Sequence, residues 1–262
     1  MSSKPAVLVT GASSGIGAVY ADRFARRGHD LILVARNGTR LEALAERLRR
    51  EAGVTVDILQ ADLTRPADLA AIETRLREDS RIGVLVNNAG AALAGGFVGQ
   101  GPDQIADLIA LNVTALTRLA AAVAPRFVTA GSGTIVNIGS VVGFVPEFGM
   151  AVYGATKAFV QYLSQALHTE LGPKGVYVQA VLPAATRTEI WQHVGIDVNA
   201  LPAVMETDAL VDAALVGFDR RESVTIPPLP DASQWDAFDR ARTAMIPNLG
   251  QVQPAERYRT AA

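Results

Sequence analysis

Over most of the chain, short apolar runs alternate with longer stretches in which apolar positions recur every three or four residues. The runs at 6–10 (AVLVT), 31–35 (LILVA), 54–60 (VTVDILQ), 82–87 (IGVLVN), 134–139 (TIVNIG) and 176–182 (VYVQAVL) are short and rich in β-branched residues. Near-continuous apolar character of that kind marks strands covered on both faces. Residues 40–52 and 66–78, rich in Leu, Ala, Arg and Glu, divide apolar from charged sides as surface helices do. The alternation predicts right-handed βαβ crossovers and an α/β fold: a doubly wound, mostly parallel sheet with helices on both faces. A weaker run at 223–227 (SVTIP) makes the seventh strand.

No linker, repeat or low-complexity block interrupts the pattern, so residues 1–262 are expected to form a single domain. Residues 5–182 are its scaffold; residues 183–262 supply a loop, the last strand and a C-terminal helix. The stretch 183–206 breaks the alternation, mixing prolines and turns with Trp191, Val194, Ile196, Leu201 and Met205. Irregular apolar chain beyond a strand's carboxyl end suits a lid over a small molecule; the alternative is an ordinary packed connection. At 233–246, Trp235, Phe238, Arg242 and Met245 recur at helical spacing, which suits core or subunit packing.

Composition narrows the chemistry. With 24 basic against 26 acidic residues, there is no cationic excess to neutralise phosphates, and a nucleic-acid partner is not expected. Hydrophobic residues, at 49%, are ample for a core. The absence of cysteine excludes disulfides, zinc–thiolate sites, iron–sulfur clusters and thiol catalysis. His29, His168 and His193 lie far apart without ligand spacing, so no metal is expected. Residues 1–17 hold one Lys and an apolar stretch short for a signal-peptide core. Charges and prolines interrupt every run of the roughly 18 apolar residues that a membrane span needs. The expectation is a soluble, cytoplasmic protein with no membrane partner.

Directly after the first strand stands Thr10-Gly11-Ala12-Ser13-Ser14-Gly15-Ile16-Gly17, opening a helical stretch. Glycines let the backbone turn tightly and approach a pyrophosphate, while a helix amino terminus offers free N–H groups and partial positive charge. The spacing is GxxxGxG, not the GxGxxG of the standard dinucleotide fingerprint, but its place between first strand and first helix supplies the context. Gly11–Gly15 also matches GxSxG, a hydrolase nucleophile elbow. That reading needs earlier strands and an oxyanion loop upstream, and it is not the expected one.

Further on come Asn87-Asn88-Ala89-Gly90 after the fourth strand, then Asn112, Ser140 and Tyr153-Gly154-Ala155-Thr156-Lys157. Together with the glycine loop, and in this order, they make residues 5–190 resemble the short-chain dehydrogenase/reductase family in its compact single-domain branch. The resemblance implies a seven-stranded Rossmann-type sheet and a nicotinamide dinucleotide cofactor. It implies cofactor contacts from Gly11, Ser13, Ser14, Gly15, Ile16, Gly17, Asn88, Ala89 and Gly90, with Tyr153 and Lys157 at the nicotinamide end. Asp62 and Leu63, after the third strand, match the family's adenine-contacting pair, although Asp62 reads equally well as a helix cap.

Cofactor choice falls at the end of the second strand, where an acidic residue would hold the ribose hydroxyls of NAD and repel a 2′-phosphate. Here stand Ala35 and Arg36. The missing carboxylate and the guanidinium favour NADP(H), with Ser13 and Asn37 as helpers; NAD(H) is the alternative, with Arg36 then a solvated cation.

Tyr153 and Lys157, four apart in a helical stretch, project from one face. A hydride-transfer site needs a group that gives a carbonyl oxygen its proton. Tyrosine's ordinary pKa of about 10 is high for that work, and a nearby ammonium is expected to lower it. Ser140 is a candidate to hydrogen-bond the substrate oxygen, and by the resemblance Asn112 anchors a water chain leading to Lys157. Taken singly, these four also read as a half-buried aromatic, a solvated lysine, a strand-end hydroxyl and a polar cap. Where the family commonly has Pro-Gly and then a Thr, this chain has Pro183-Ala184-Ala185-Thr186-Arg187-Thr188. Thr188 is expected at the nicotinamide carboxamide, and Ala184 in a glycine's place puts the local backbone in question.

The expected activity is NADP(H)-dependent interconversion of a ketone or aldehyde with its alcohol. Val142, Phe144, Phe148 and Trp191 are the expected substrate wall, and such a lining favours an apolar or aromatic carbonyl. An NAD-linked alcohol dehydrogenase on the same fold and a non-catalytic dinucleotide sensor are the alternatives. The apolar helical stretches 108–128 and 151–171 resemble the family's subunit faces, which implies a homodimer or homotetramer.

Overall fold

The computed structural model describes residues 4–93 and 95–259, apart from the side chain of His193. Among them, β1 (Ala6–Thr10), β2 (Leu31–Ala35), β3 (Val56–Gln60), β4 (Ile82–Asn87), β5 (Gly133–Ile138), β6 (Val176–Val181) and β7 (Val224–Thr225) form a parallel sheet. The order is β3-β2-β1-β4-β5-β6-β7. The predicted runs coincide with β1, β2 and β4 and differ from the other strands by a residue or two at their ends. Helices α1 (Gly15–Arg26), α2 (Gly38–Ala52), α3 (Pro66–Glu78), α4 (Pro102–Ile109), α5 (Leu116–Ala130), α6 (Ala151–Leu171), α7 (Ile190–His193) and α8 (Thr207–Asp219) connect or follow the strands.

Side chains alternate between the faces of a strand, and the core divides accordingly. Val7, Val9, Leu31 and Leu33 share one buried cluster with Tyr20 and Phe24 of α1, Leu41 and Leu48 of α2, and Val211 and Leu215 of α8. Their neighbours Ala6, Leu8, Ile32 and Val34 belong to a second cluster with Leu69, Ile72 and Leu76 of α3 and Leu119, Val123 and Phe127 of α5. Both faces are thus covered, which is why the strands read as continuous apolar runs. After β3 the chain returns past β1 to begin β4, so β1 and β4 flank the topological switch point, where open α/β sheets bind ligands at their carboxyl edge.

Two expectations need correction. Residues 108–128 do not make one regular helix: α4 runs into a π-helical turn, Ala110–Ala115, before α5 begins. The continuous run 102–130 is also long and apolar enough to cross a membrane by length and composition, contrary to the sequence expectation. Its apolar residues Ala115, Leu119, Ala120, Val123 and Phe127 are buried in the second core cluster, which accounts for that composition.

By packing, the chain divides into two compact units, before and after Pro228. The second contains α9 (Ala232–Thr243), capped by Asp231 accepting from the Ser233 N–H at 2.9 Å, with Trp235 and Phe238 rings 5.4 Å apart. Of the two roles expected for this stretch, core or subunit packing, core packing is not found among the described residues. No residue of α9 is buried, and Phe238 and Met245 are 46% and 54% exposed.

Candidate active site

The glycine loop turns where β1 ends. Gly11 and Gly15 have φ of +66° and +53°, a region that side chains disfavour. Gly17 is required for another reason: a Cβ there would stand 2.3 Å from the Gly11 carbonyl oxygen. Ser14, the cap residue of α1, makes no capping hydrogen bond, and the first turn of α1 holds no acidic residue. The helix amino terminus therefore keeps N–H groups and positive partial charge for an anion. This cradle fits a dinucleotide pyrophosphate, which Gly11, Ser13, Ser14, Gly15, Ile16 and Gly17 would hold.

The Asn88–Gly90 signature braces that loop from β4. Asn88 Nδ2 donates to the carbonyls of Thr10 at 2.9 Å and Gly11 at 3.2 Å. Thr10 Oγ1 accepts the N–H groups of Asn88 and Ala89, each at 3.0 Å. Thr10 was not among the expected site residues; its signal was its position, last in β1 and first in the motif.

At the other end, the register pairs Ala35 with Gln60, which brings Arg36 and Asp62 to one sheet edge. Arg36 is exposed. Asn37 caps α2, its Oδ1 accepting from the Arg40 N–H at 3.0 Å. Asp62 Oδ1 accepts from the Thr64 N–H and hydroxyl at 3.0 and 2.7 Å, as the cap reading anticipated. Burial pushes the Asp62 carboxyl up, but those Thr64 bonds and the Arg36 charge prevail and hold it below the usual range. The Leu63 side chain is buried in the second core cluster.

Ser140 follows β5. Its hydroxyl donates to the Pro183 carbonyl at 3.1 Å and accepts from the Val142 N–H at 3.4 Å, and, against the larger effect of burial, its proximity lowers the pKa of Tyr153. The turn at 141–143 lies directly on α6, because Gly143 has no side chain: a Cβ there would stand 2.8 Å from the Ala158 nitrogen and the Lys157 carbonyl carbon. Sequence reasoning passed over Gly143, whose role depends on a contact with α6 that no spacing reveals. Tyr153 sits in the first turn of α6 and Lys157 one turn later, its Nζ 5.7 Å from the Tyr153 ring centroid. Lys157 is 6% exposed and donates to the Ile138 carbonyl at 2.9 Å.

Asn112 lies in the π turn, a feature that recurs at functional sites. Its side chain pairs with both backbone groups of Ala91, each at 2.9 Å, and donates to Thr156 Oγ1 at 3.1 Å. A Cβ on Gly90 would stand 3.3 Å from Asn112 Oδ1 and 3.5 Å from Lys157 Nζ, so this glycine keeps the junction open. Asn112, Ser140, Tyr153 and Lys157 thus lie around one end of the sheet, tied together by β4, β5, the π turn and α6. The electrostatics differ from the expected lowering of the tyrosine. Burial pushes Tyr153 up to about 12, against a lowering by the nearby Ser140 hydroxyl, and pushes Lys157 down to about 8.

Beyond β6, the irregular segment is internally laced. Ala185 and Arg187 exchange backbone bonds with Met205 at 2.9 Å, and Trp191 Nε1 donates to the Thr186 carbonyl at 2.7 Å. A Cβ on Gly15 would stand 3.2 Å from the Thr188 methyl, which places Thr188 against the glycine loop. Ala184 is not in the left-handed region, so replacing glycine there costs no strain. The residues of the expected substrate wall differ in exposure. Phe144 packs on the small cluster of Val141, Ala180 and Leu182, Phe148 is 59% exposed, and Val142 and Trp191 are partly buried.

Comparison with known proteins agrees with this architecture. A short-chain dehydrogenase from Sphingobium yanoikuyae, solved in complex with NADPH, is 72% identical over 97% of this chain and 100% of its own, with a TM-score of 0.96. The bulky-bulky ketone specific alcohol dehydrogenase from Comamonas testosteroni is 60% identical over 98% of this chain and 99% of its own, with a TM-score of 0.92. Hydroxysteroid dehydrogenase-like protein 1 of Gallus gallus is 33% identical over 70% of this chain, which spans only 56% of that protein's length. The family model described as short chain dehydrogenase matches residues 5–199, from β1 into the irregular segment after β6. With its glycine loop, its π-turn asparagine and its Ser–Tyr–Lys grouping in that span, the chain belongs to the short-chain dehydrogenase family.

Proposed function

We propose that the chain is an NADP(H)-dependent oxidoreductase interconverting a ketone or aldehyde with its alcohol, with Tyr153 as general acid in reduction and general base in oxidation. The observation that carries this reading is the grouping of Ser140, Tyr153 and buried Lys157: the 141–143 turn after Ser140 packs directly on α6 at Lys157, whose Nζ lies 5.7 Å from the Tyr153 ring centroid. The NADPH held by the relative that is 72% identical supports the choice of cofactor, as does the exposed Arg36 in place of a strand-end carboxylate. The cofactor, when bound, supplies or takes the hydride at the carbonyl carbon.

In reduction, Tyr153 gives its O–H proton to the carbonyl oxygen as the double bond becomes single. The phenolate left behind lies in the first turn of α6, where the helix dipole favours negative charge. Lys157, at about 8, is an ammonium at neutral pH and favours that phenolate further. The Ser140 hydroxyl holds the substrate oxygen in line with Tyr153. Asn112 and Thr156 hold the backbone at Ala91 against α6, which keeps Lys157 in register with Tyr153 and leaves Asn112 to anchor the water chain.

The ketone named for the relative that is 60% identical supports a substrate with bulk on both sides of its carbonyl. Val142, Phe148 and Trp191 would line such a pocket. We also propose a homodimer or homotetramer, located in the cytoplasm. Tyr153→Phe is expected to lower kcat by about 10³-fold on a panel of bulky ketones, the scale of a lost general acid. NADPH binding, followed by nicotinamide fluorescence, should stay near wild type. A variant that keeps its turnover would reject the assignment.

A further inference from the structure

We infer that Arg40 and Glu189 form a clasp across the cofactor groove that sets the residence time of the dinucleotide; the inference rests on the cofactor reading above. Arg40 Nη1 donates to both carboxylate oxygens of Glu189, at 2.9 and 2.7 Å, joining positions 149 apart in sequence. Arg40 stands in the first turn of α2, just past Arg36 and the cap Asn37. A cation at a helix amino terminus opposes the dipole, so this position calls for a carboxylate, and the first turn of α2 holds none. Glu189 brings one from the segment after β6.

Its neighbour Thr188 lies against Gly15 of the phosphate loop. Residues 188 and 189 therefore cross from the glycine loop to α2. A dinucleotide held by Arg36 and Asp62 at one end and Tyr153 at the other would have to pass the glycine loop that this crossing spans. On its other side the segment is fixed by Arg187, bonded to Glu206 at 2.7 Å and Asn199 at 2.8 Å. The clasp itself is built to open: Arg40 and Glu189 keep 50% and 40% of their side-chain exposure, and exposed ion pairs are weak.

A clasp acts on any dinucleotide, whereas a ligand of the 2′-phosphate acts on NADPH alone. The test is stopped-flow displacement of NADPH and of NADH from wild type, Arg40→Ala, Glu189→Gln and the double variant. Each single variant is expected to release both cofactors about threefold faster, by the same factor, and the double variant no faster than either. The charge-reversed pair, Arg40→Glu with Glu189→Arg, should restore slow release. Raising salt from about 0.05 to 0.5 M should bring the wild type toward the variants. Unchanged rates in the variants would overturn the clasp, as would an effect of Arg40→Ala confined to NADPH or tighter NADPH binding by Glu189→Gln. A wild type that binds neither cofactor rejects the cofactor reading itself, a separate result.

Discussion

Lys157 shows what one buried residue costs and what it does. Its ammonium is taken from water, and burial lowers its pKa from 10.5 to about 8. Between those values the unfolded chain binds the proton that the folded chain has released, so this group makes stability rise with pH there. Below pH 8 both states are protonated and the folded state carries the full cost, up to about 3 kcal/mol. Lys157→Met, an apolar residue of similar length, is therefore expected to raise the melting temperature at pH 7 and to flatten the rise toward pH 10. It should also lose most turnover. Melting scans at pH 7 and 9.5 check this, and a variant less stable than wild type at pH 7 would count against it. The pairing of Tyr153 with Lys157 was legible because four residues on a helix is a local distance. The direction of their pKa shifts was not, because burial depends on β5, β6 and the 141–143 turn folding around them.

Among the elements, the helices on one sheet face are coupled by charge as well as by their apolar sides. The Asp22 carboxylate of α1 is almost fully buried, accepting from Arg23 at 2.9 Å, from Arg26 at 2.8 Å and from Arg47 of α2 at 2.8 Å. Arg23 continues to Asp212 of α8 at 2.6 Å. Burial pushes Asp22 up, but the three guanidinium bonds overcome it and hold the carboxyl at about 2. A carboxyl held below its unfolded value adds stability above about pH 4 and loses it as pH falls toward 2. Asp22→Asn should cost about 2 kcal/mol at pH 7 and remove that part of the acid sensitivity. Urea unfolding at pH 7 and 3 measures both, and equal losses at the two pH values would refute the coupling. The glycine loop located α1 and periodicity located α2, but the Asp22 network was not legible, because Arg47 reaches it from another helix. The π turn at Asn112 escaped for a related reason: one added residue per turn barely disturbs an apolar pattern as dense as that of 102–130.

For the molecule as a whole, the strand pattern carried most of the architecture, since a sheet buried on both faces writes itself as continuous apolar runs. What such a pattern cannot say is which apolar residues remain outside. Ile109 on α4 and Phe159 and Tyr162 on α6 keep 41%, 39% and 76% exposure, within the apolar helical stretches 108–128 and 151–171. Large apolar side chains left exposed on long core helices are the usual substance of a subunit contact. A second copy related by a two-fold axis would bring the same residues from both chains together. Light scattering is therefore expected to give two or four times the chain mass of 27.6 kDa. Tyr162→Glu, which places a charge at the most exposed of the three, should shift the population toward monomer without lowering the helical signal in circular dichroism. Tyr162 lies more than two turns beyond Tyr153 along α6, so the loss of assembly should precede any loss of cofactor binding as the protein is diluted. A monomeric wild type at micromolar concentration would remove the assembly, leaving α4 and α6 with apolar residues that face only water.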